Sequence, residues 1–187
     1  MGGKILITNA YEDGPVVNNL DTPASLLPAT GAFAFLHNYM TVGRAIMVRA
    51  AGRMGVKTPT PGNLTIDLYL EGPGGSPAVI IGTSGLMALS STAKTNVPWW
   101  MEWWFTTRTV GLTATFMVQG KMTSEALGAT TVAGEAKTLL MPKTHTGVVS
   151  AVFASTVPET LDIVATWSTA DAANTITLQQ YIVSTLA

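Results

Sequence analysis

The chain has 187 residues, 47% of them apolar and 11% charged, with a formal net charge of −1 and no cysteine. The absence of cysteine excludes a disulfide scaffold, a thiol nucleophile, an iron–sulfur centre and a cysteine-ligated zinc, and the near-neutral charge argues against a nucleic-acid binder, which needs a basic face. The length suits one domain that buries its core without disulfide or metal staples.

In chain order, the opening MGGKILITNA holds an apolar run too short for a signal-peptide core, and Glu12 and Asp13 soon follow it. Leu6 stands where N-myristoylation requires Ser or Thr. No run approaches the ~18 consecutive apolar residues of a membrane-spanning helix. The expectation is synthesis in a cytoplasm and no membrane partner. Residues 9–43 carry Asp13-Gly14, Pro15, Asn18-Asn19, Pro23 and Pro28 with no sustained period. They read as an extended N-terminal arm (1–43), packed on or reaching from the domain, with a short helical turn or strand near Phe33 and Leu36. Such an arm is ordered only against a surface that repays its entropy.

From residue 44 to 187 the dominant signal is period-2 alternation, which marks strands with one buried face. In 44–53, Ile46 and Val48 point inward and Arg49 outward. In 63–71, Leu64, Ile66, Leu68 and Leu70 alternate with Thr65, Asp67, Tyr69 and Glu71. Shorter apolar runs at 78–81 and 86–89 also read as strands. Leu112, Ala114, Phe116 and Val118 share a face, as do Leu161, Ile163, Ala165 and Trp167. So do Ile176, Leu178, Gln180 and Ile182, against Thr175, Thr177, Gln179 and Tyr181. Residues 148–154 read as a further strand, and 124–137, interrupted by Gly128 and Gly134, as a strand or a long excursion. Thr58-Pro59-Thr60-Pro61-Gly62, Gly72-Pro73-Gly74-Gly75-Ser76-Pro77 and 170–174 supply turns between them. Eight to ten strands at this spacing predict an all-β antiparallel sandwich or barrel.

Signals for chemistry are sparse. His37 lies in the irregular arm and His145 in a polar loop, neither within a nucleophile or zinc motif. Gly72-Pro73-Gly74-Gly75 lacks the Lys and the Ser/Thr of a phosphate loop, and Ser91-Thr92-Ala93-Lys94 lacks the partner motifs of a Ser-x-x-Lys catalyst. Asp67, Glu71, Glu102 and Asp162 fall on outer strand faces, and no spacing singles out the converging pair a glycosidase needs. No catalytic residue, metal or cofactor is expected.

The strongest local feature is Pro98-Trp99-Trp100-Met101-Glu102-Trp103-Trp104-Phe105. As a strand it puts Trp99, Met101, Trp103 and Phe105 on one face and Trp100, Glu102 and Trp104 on the other, so both faces are largely apolar. The second face suits a core position, a subunit contact or a stacking site for sugar rings. Charge density favours the contact. A compact monomer of 19.6 kDa exposes ~8,600 Å², which leaves its 21 ionic side chains at one per ~400 Å², less than half the usual complement. Other chains are expected to cover part of such a surface. The alternative is a monomer coated with threonine, of which there are 28.

Four stretches together resemble a group of tailed-bacteriophage virion proteins: GRAIMVRAAGR at 43–53, LTIDLYL at 64–70, NVPWWME at 96–102, and ATWS at 165–168 followed by NTITL at 174–178. They span the proposed 44–187 domain and leave the arm out. The resemblance implies a jelly-roll-like sandwich and a non-enzymatic role as a decoration or minor capsid protein on the exterior of the head shell. It also implies two partners, further copies of the chain (a trimer at a local three-fold is favoured) and the major capsid protein. On that reading Trp100, Trp104 and Arg49 sit at a subunit or capsid contact, with Tyr11 and Tyr39 on an arm that meets a neighbour. The alternative is a tail-associated or carbohydrate-binding attachment module, with Trp100 and Trp104 exposed in a groove.

Overall fold

The computed structural model describes residues 4–10, 12–72, 78–128, 134–143 and 148–186. Fourteen strands are seen among them: β1 (Lys4–Ala10), β2 (Val17–Asn18), β3 (Ala24–Ser25), β4 (Phe33–Phe35), β5 (Ala45–Val56), β6 (Asn63–Glu71), β7 (Val79–Thr83), β8 (Met87–Ala88), β9 (Lys94–Thr109), β10 (Thr115–Ser124), β11 (Lys137–Met141), β12 (Val148–Val149), β13 (Glu159–Trp167) and β14 (Thr175–Leu186). They form two antiparallel sheets packed as a sandwich. The large sheet has the order β1-β14-β5-β9-β10-β11, with β2 added to β14 and β12 to β10. The small sheet has the order β3-β13-β6-β7, with β4 added to β13 and β8 to β6. β5 lies beside β14 in one sheet and β6 beside β13 in the other. The two ends of the 44–187 region thus run together as a ribbon across both layers.

The inner faces supply the core. Leu64, Ile66, Leu68 and Leu70 of β6 meet Trp99, Met101, Trp103 and Phe105 of β9, all buried. Two glycines make room for Trp103. A Cβ on Gly120, its cross-strand neighbour, would stand 2.8 Å from the indole, and one on Gly82 of the opposite sheet 3.4 Å from it. A larger residue at Gly120 would therefore displace the ring, while Gly82 lets the opposite sheet close onto it. Gly62 closes the β5–β6 turn with φ +81, a left-handed conformation that suits glycine.

Three readings from alternation need correcting. In β14 a bulge falls between Leu178 and Gln180. The extra residue inverts the faces beyond it, so Tyr181 and Val183 are buried while Gln180 is exposed and Ile182 is 40% exposed. Leu112 lies in the loop before β10 and is 76% exposed. Residues 148–154 give only the two-residue β12, plus a lone bridge from Phe153 to Ala114. β11, the next strand after β10 among the described residues, pairs on β10; within the stretch read as a strand or excursion, residues 129–133 lie outside the described residues.

The N-terminal segment lies on its own sandwich. β2 pairs with β14, and β3 and β4 pair with β13, so the segment touches both sheets. Val17, Leu26, Leu27, Phe35 and Met40 are buried in the common core. Leu26 donates its N–H to the Ile163 carbonyl at 2.8 Å, and the Trp167 indole N–H reaches the Val17 carbonyl at 3.3 Å. Leu26→Ala is accordingly expected to cost ~2–5 kcal/mol of unfolding free energy, read from urea denaturation. A change within ~0.5 kcal/mol would show that the segment is dispensable to the core.

Candidate functional site

Strand registers put the outer face of the large sheet into cross-strand rows. One row runs Leu6, Ser184, Met47, Trp104, Gln119. The next runs Asn9, Ile182, Arg49, Glu102, Lys121, Leu140. A third runs Gln180, Ala51, Trp100, Thr123, Thr138. Arg49, Trp100 and Trp104, singled out above, therefore stand together on one surface. Tyr39 does not join them. It stacks on Phe35 with centroids 5.5 Å apart and carries the Arg44 guanidinium 4.5 Å above its ring. Tyr11 and His145 lie outside the described residues, and His37 is exposed in a turn.

Glu102 is the hub of the face. Its side chain is 7% exposed although it points away from the core. The Arg49 Nε–H donates to Oε2 at 2.6 Å and the Trp104 indole N–H to Oε1 at 2.8 Å, while the Lys121 ammonium lies 3.9 Å from Oε1. The same ammonium sits 5.1 Å from the centre of the Trp100 ring. Burial pushes the Glu102 carboxyl upward, but the Trp104 and Arg49 hydrogen bonds and the two cations outweigh it and hold the group below the ordinary glutamate value. This carboxylate is ionised, buried and fully engaged, which suits a fastener and not a proton carrier. Met47 in the neighbouring row is also buried, at 2% exposure, yet stands outside the main core cluster. The outer face thus holds a small packed layer of its own.

Around that layer the apolar surface is open. Leu6, Ile182, Trp104, Leu140 and Val149 are 59%, 40%, 39%, 75% and 53% exposed, and Val149 joins the face through its pairing with Met117. Lys121, Ile182, Leu6, Leu140 and Val149 escaped the sequence reading, because a face is assembled from six strands whose registers no single segment encodes.

Beyond Trp100 the face falls away into a trough. One hollow of about 520 Å³ is lined by Trp100, Ala51, Arg53, Gln179 and Gln180 among others, and one of about 210 Å³ shares Ala51, Trp100 and Gln180 with it. A further hollow, of about 350 Å³, opens on the outer face of the small sheet and includes Asp162 and Glu71. Burial raises the Asp162 carboxyl above the ordinary aspartate value. Its Oδ1 accepts the Ser25 hydroxyl at 2.6 Å and the Ile163 N–H at 2.7 Å, so it fastens β3 to β13. Among the described residues no cluster of three His, Asp or Glu side chains is arranged to hold a metal ion. Comparison with protein-family models, with curated proteins and with solved structures finds no match.

The lowered pKa of Glu102 gives a signed pH dependence. Its ionic contribution to stability is present above the ordinary glutamate value of 4.5 and is lost as pH falls through the lower folded value. Glu102→Gln is expected to flatten the fall of the thermal midpoint on acidification relative to wild type. Parallel curves for the two proteins would show that Glu102 does not carry this contribution.

Proposed function

We propose that this chain is a structural protein of a tailed-bacteriophage virion, a decoration or minor capsid protein that seats on the exterior of the head shell as a symmetric homo-oligomer. It acts by covering surface, and catalysis is no part of the role. The observation that carries this reading is the outer face of the large sheet, where five large apolar side chains are exposed around a buried carboxylate, Glu102, whose partners Arg49 and Lys121 remain partly open to water. Such a patch marks a docking surface. Trp104 is the natural anchor, an indole held in one orientation by its bond to Glu102.

Charge density supports the same reading. The isolated chain exposes 8929 Å² and has 10 basic and 11 acidic side chains to cover it. An interface of standard size removes ~800 Å² from each partner, about a tenth of that surface, and each Å² of apolar area covered contributes ~25 cal/mol. The sequence resemblance across 44–187 supplies the class of particle and names the major capsid protein as the second partner. A trimer suits a shell with local three-fold positions.

Trp104→Glu is expected to return the chain to its single-copy mass in light scattering and to lower co-sedimentation with purified head shells at least ~10-fold. An unchanged mass and unchanged shell binding in a variant that keeps its near-ultraviolet circular dichroism would contradict the assignment.

A further inference from the structure

The trough beside Trp100 has a chemistry that assembly does not use. Trp100 rises from a row of small and polar neighbours: Ala51 on one side, Thr123 on the other, and Gln180 beyond Ala51. An indole between such neighbours forms a wall with a floor beside it, and both hollows meet at this ring. The Lys121 ammonium holds the ring from one side.

The rim is polar and unevenly charged. Gln179 and Gln180 bring exposed carboxamides from β14. Two of the nearby carboxylates have a cation, Glu102 with Arg49 and Glu125 with Lys94, both at 2.6 Å, and a third, Asp13, accepts the Gln179 carboxamide N–H over a long 3.4 Å at the far side of the rim from Arg53. Arg53 is exposed and belongs to none of the ion pairs among the described residues. Its guanidinium donates one N–H to the Asn96 carbonyl over a long 3.3 Å and carries four more donors. A planar aromatic wall suits the C–H face of a pyranose ring, carboxamides suit its hydroxyls, and an unmatched guanidinium suits a carboxylate bidentately.

We propose that this trough binds an acidic oligosaccharide, with a hexuronate ring stacked on Trp100 and its carboxylate on Arg53. The larger hollow, which holds both Trp100 and Arg53, lies at the opposite end of the face from Trp104, so saccharide binding there can be read apart from an assembly anchored on Trp104.

The test uses a galacturonate tetramer, a neutral malto-tetraose of equal length and an acidic tetrapeptide of equal charge, each titrated into the full chain while tryptophan fluorescence and binding heat are followed. The galacturonate tetramer is expected to bind saturably, at least ~10-fold more tightly than the neutral tetramer, a difference of ~1.4 kcal/mol. The acidic peptide is expected not to displace it. Trp100→Ala is expected to abolish binding. Arg53→Ala, an exposed change that leaves the stacking wall intact, is expected to remove the preference for the uronate. No saturable signal with galacturonate, equal affinity for the neutral tetramer, displacement by the acidic peptide, or wild-type behaviour of the folded Arg53→Ala variant would each overturn the proposal.

Discussion

The outer face of the large sheet depends on one ion pair. A glutamate on an outward-facing strand position normally reaches water, yet Glu102 is held beneath Trp104, Arg49 and Lys121. Desolvating a carboxylate is expensive, and the expense is offset only where geometry is good and further hydrogen bonds fill its lone pairs. Both oxygens of Glu102 are filled, one by a guanidinium and the other by an indole N–H. The arrangement fixes the direction of Trp104 and holds the Lys121 ammonium within reach of the Trp100 ring. Remove the carboxylate and the two tryptophans lose their common reference.

That outer layer exists because strand β9 is apolar on both sides. Its inner residues, Trp99, Met101, Trp103 and Phe105, are taken up by the sandwich, where Gly82 and Gly120 make space for the largest ring. Its outer residues have no second sheet to meet. Trp104 consequently stays 39% exposed, with Ile182, Leu6, Leu140 and Val149 nearby on the same face. A sheet open on one side usually carries polar residues there. Here the charged residues are few and mostly spent on one another, which is the structural form of a composition with 11% charged residues.

Alternation within a single strand was legible from the residues: the two faces of β9, the buried leucines of β6 and the outward Arg49 all follow period 2. The sandwich class follows from those alternations and the Pro/Gly turns between them. Features that depend on more than one segment were not legible. The bulge in β14 is set by its pairing with β5, where Gly52 and Ala51 stand opposite Leu178 and Gln180, and a one-residue slip exchanged the expected places of Tyr181 and Ile182. β2, β3 and β4 are two or three residues long, too short for a period to show, so the N-terminal segment read as an irregular arm. Trp100, Trp104 and Arg49 could be picked out as outward residues, but Glu102 as the common partner of Arg49 and Trp104 could not, because its burial comes from three strands at once.

Sedimentation equilibrium of the unaltered protein tests most directly whether other copies of the chain cover this surface, as proposed. Over ~1 to ~100 μM, where mass action separates single copies from assemblies, the weight-average mass should climb above the 19.6 kDa of one chain toward a whole-number multiple. A mass that stays at one chain across the whole range would contradict the claim and leave the threonine-coated monomer as the better description.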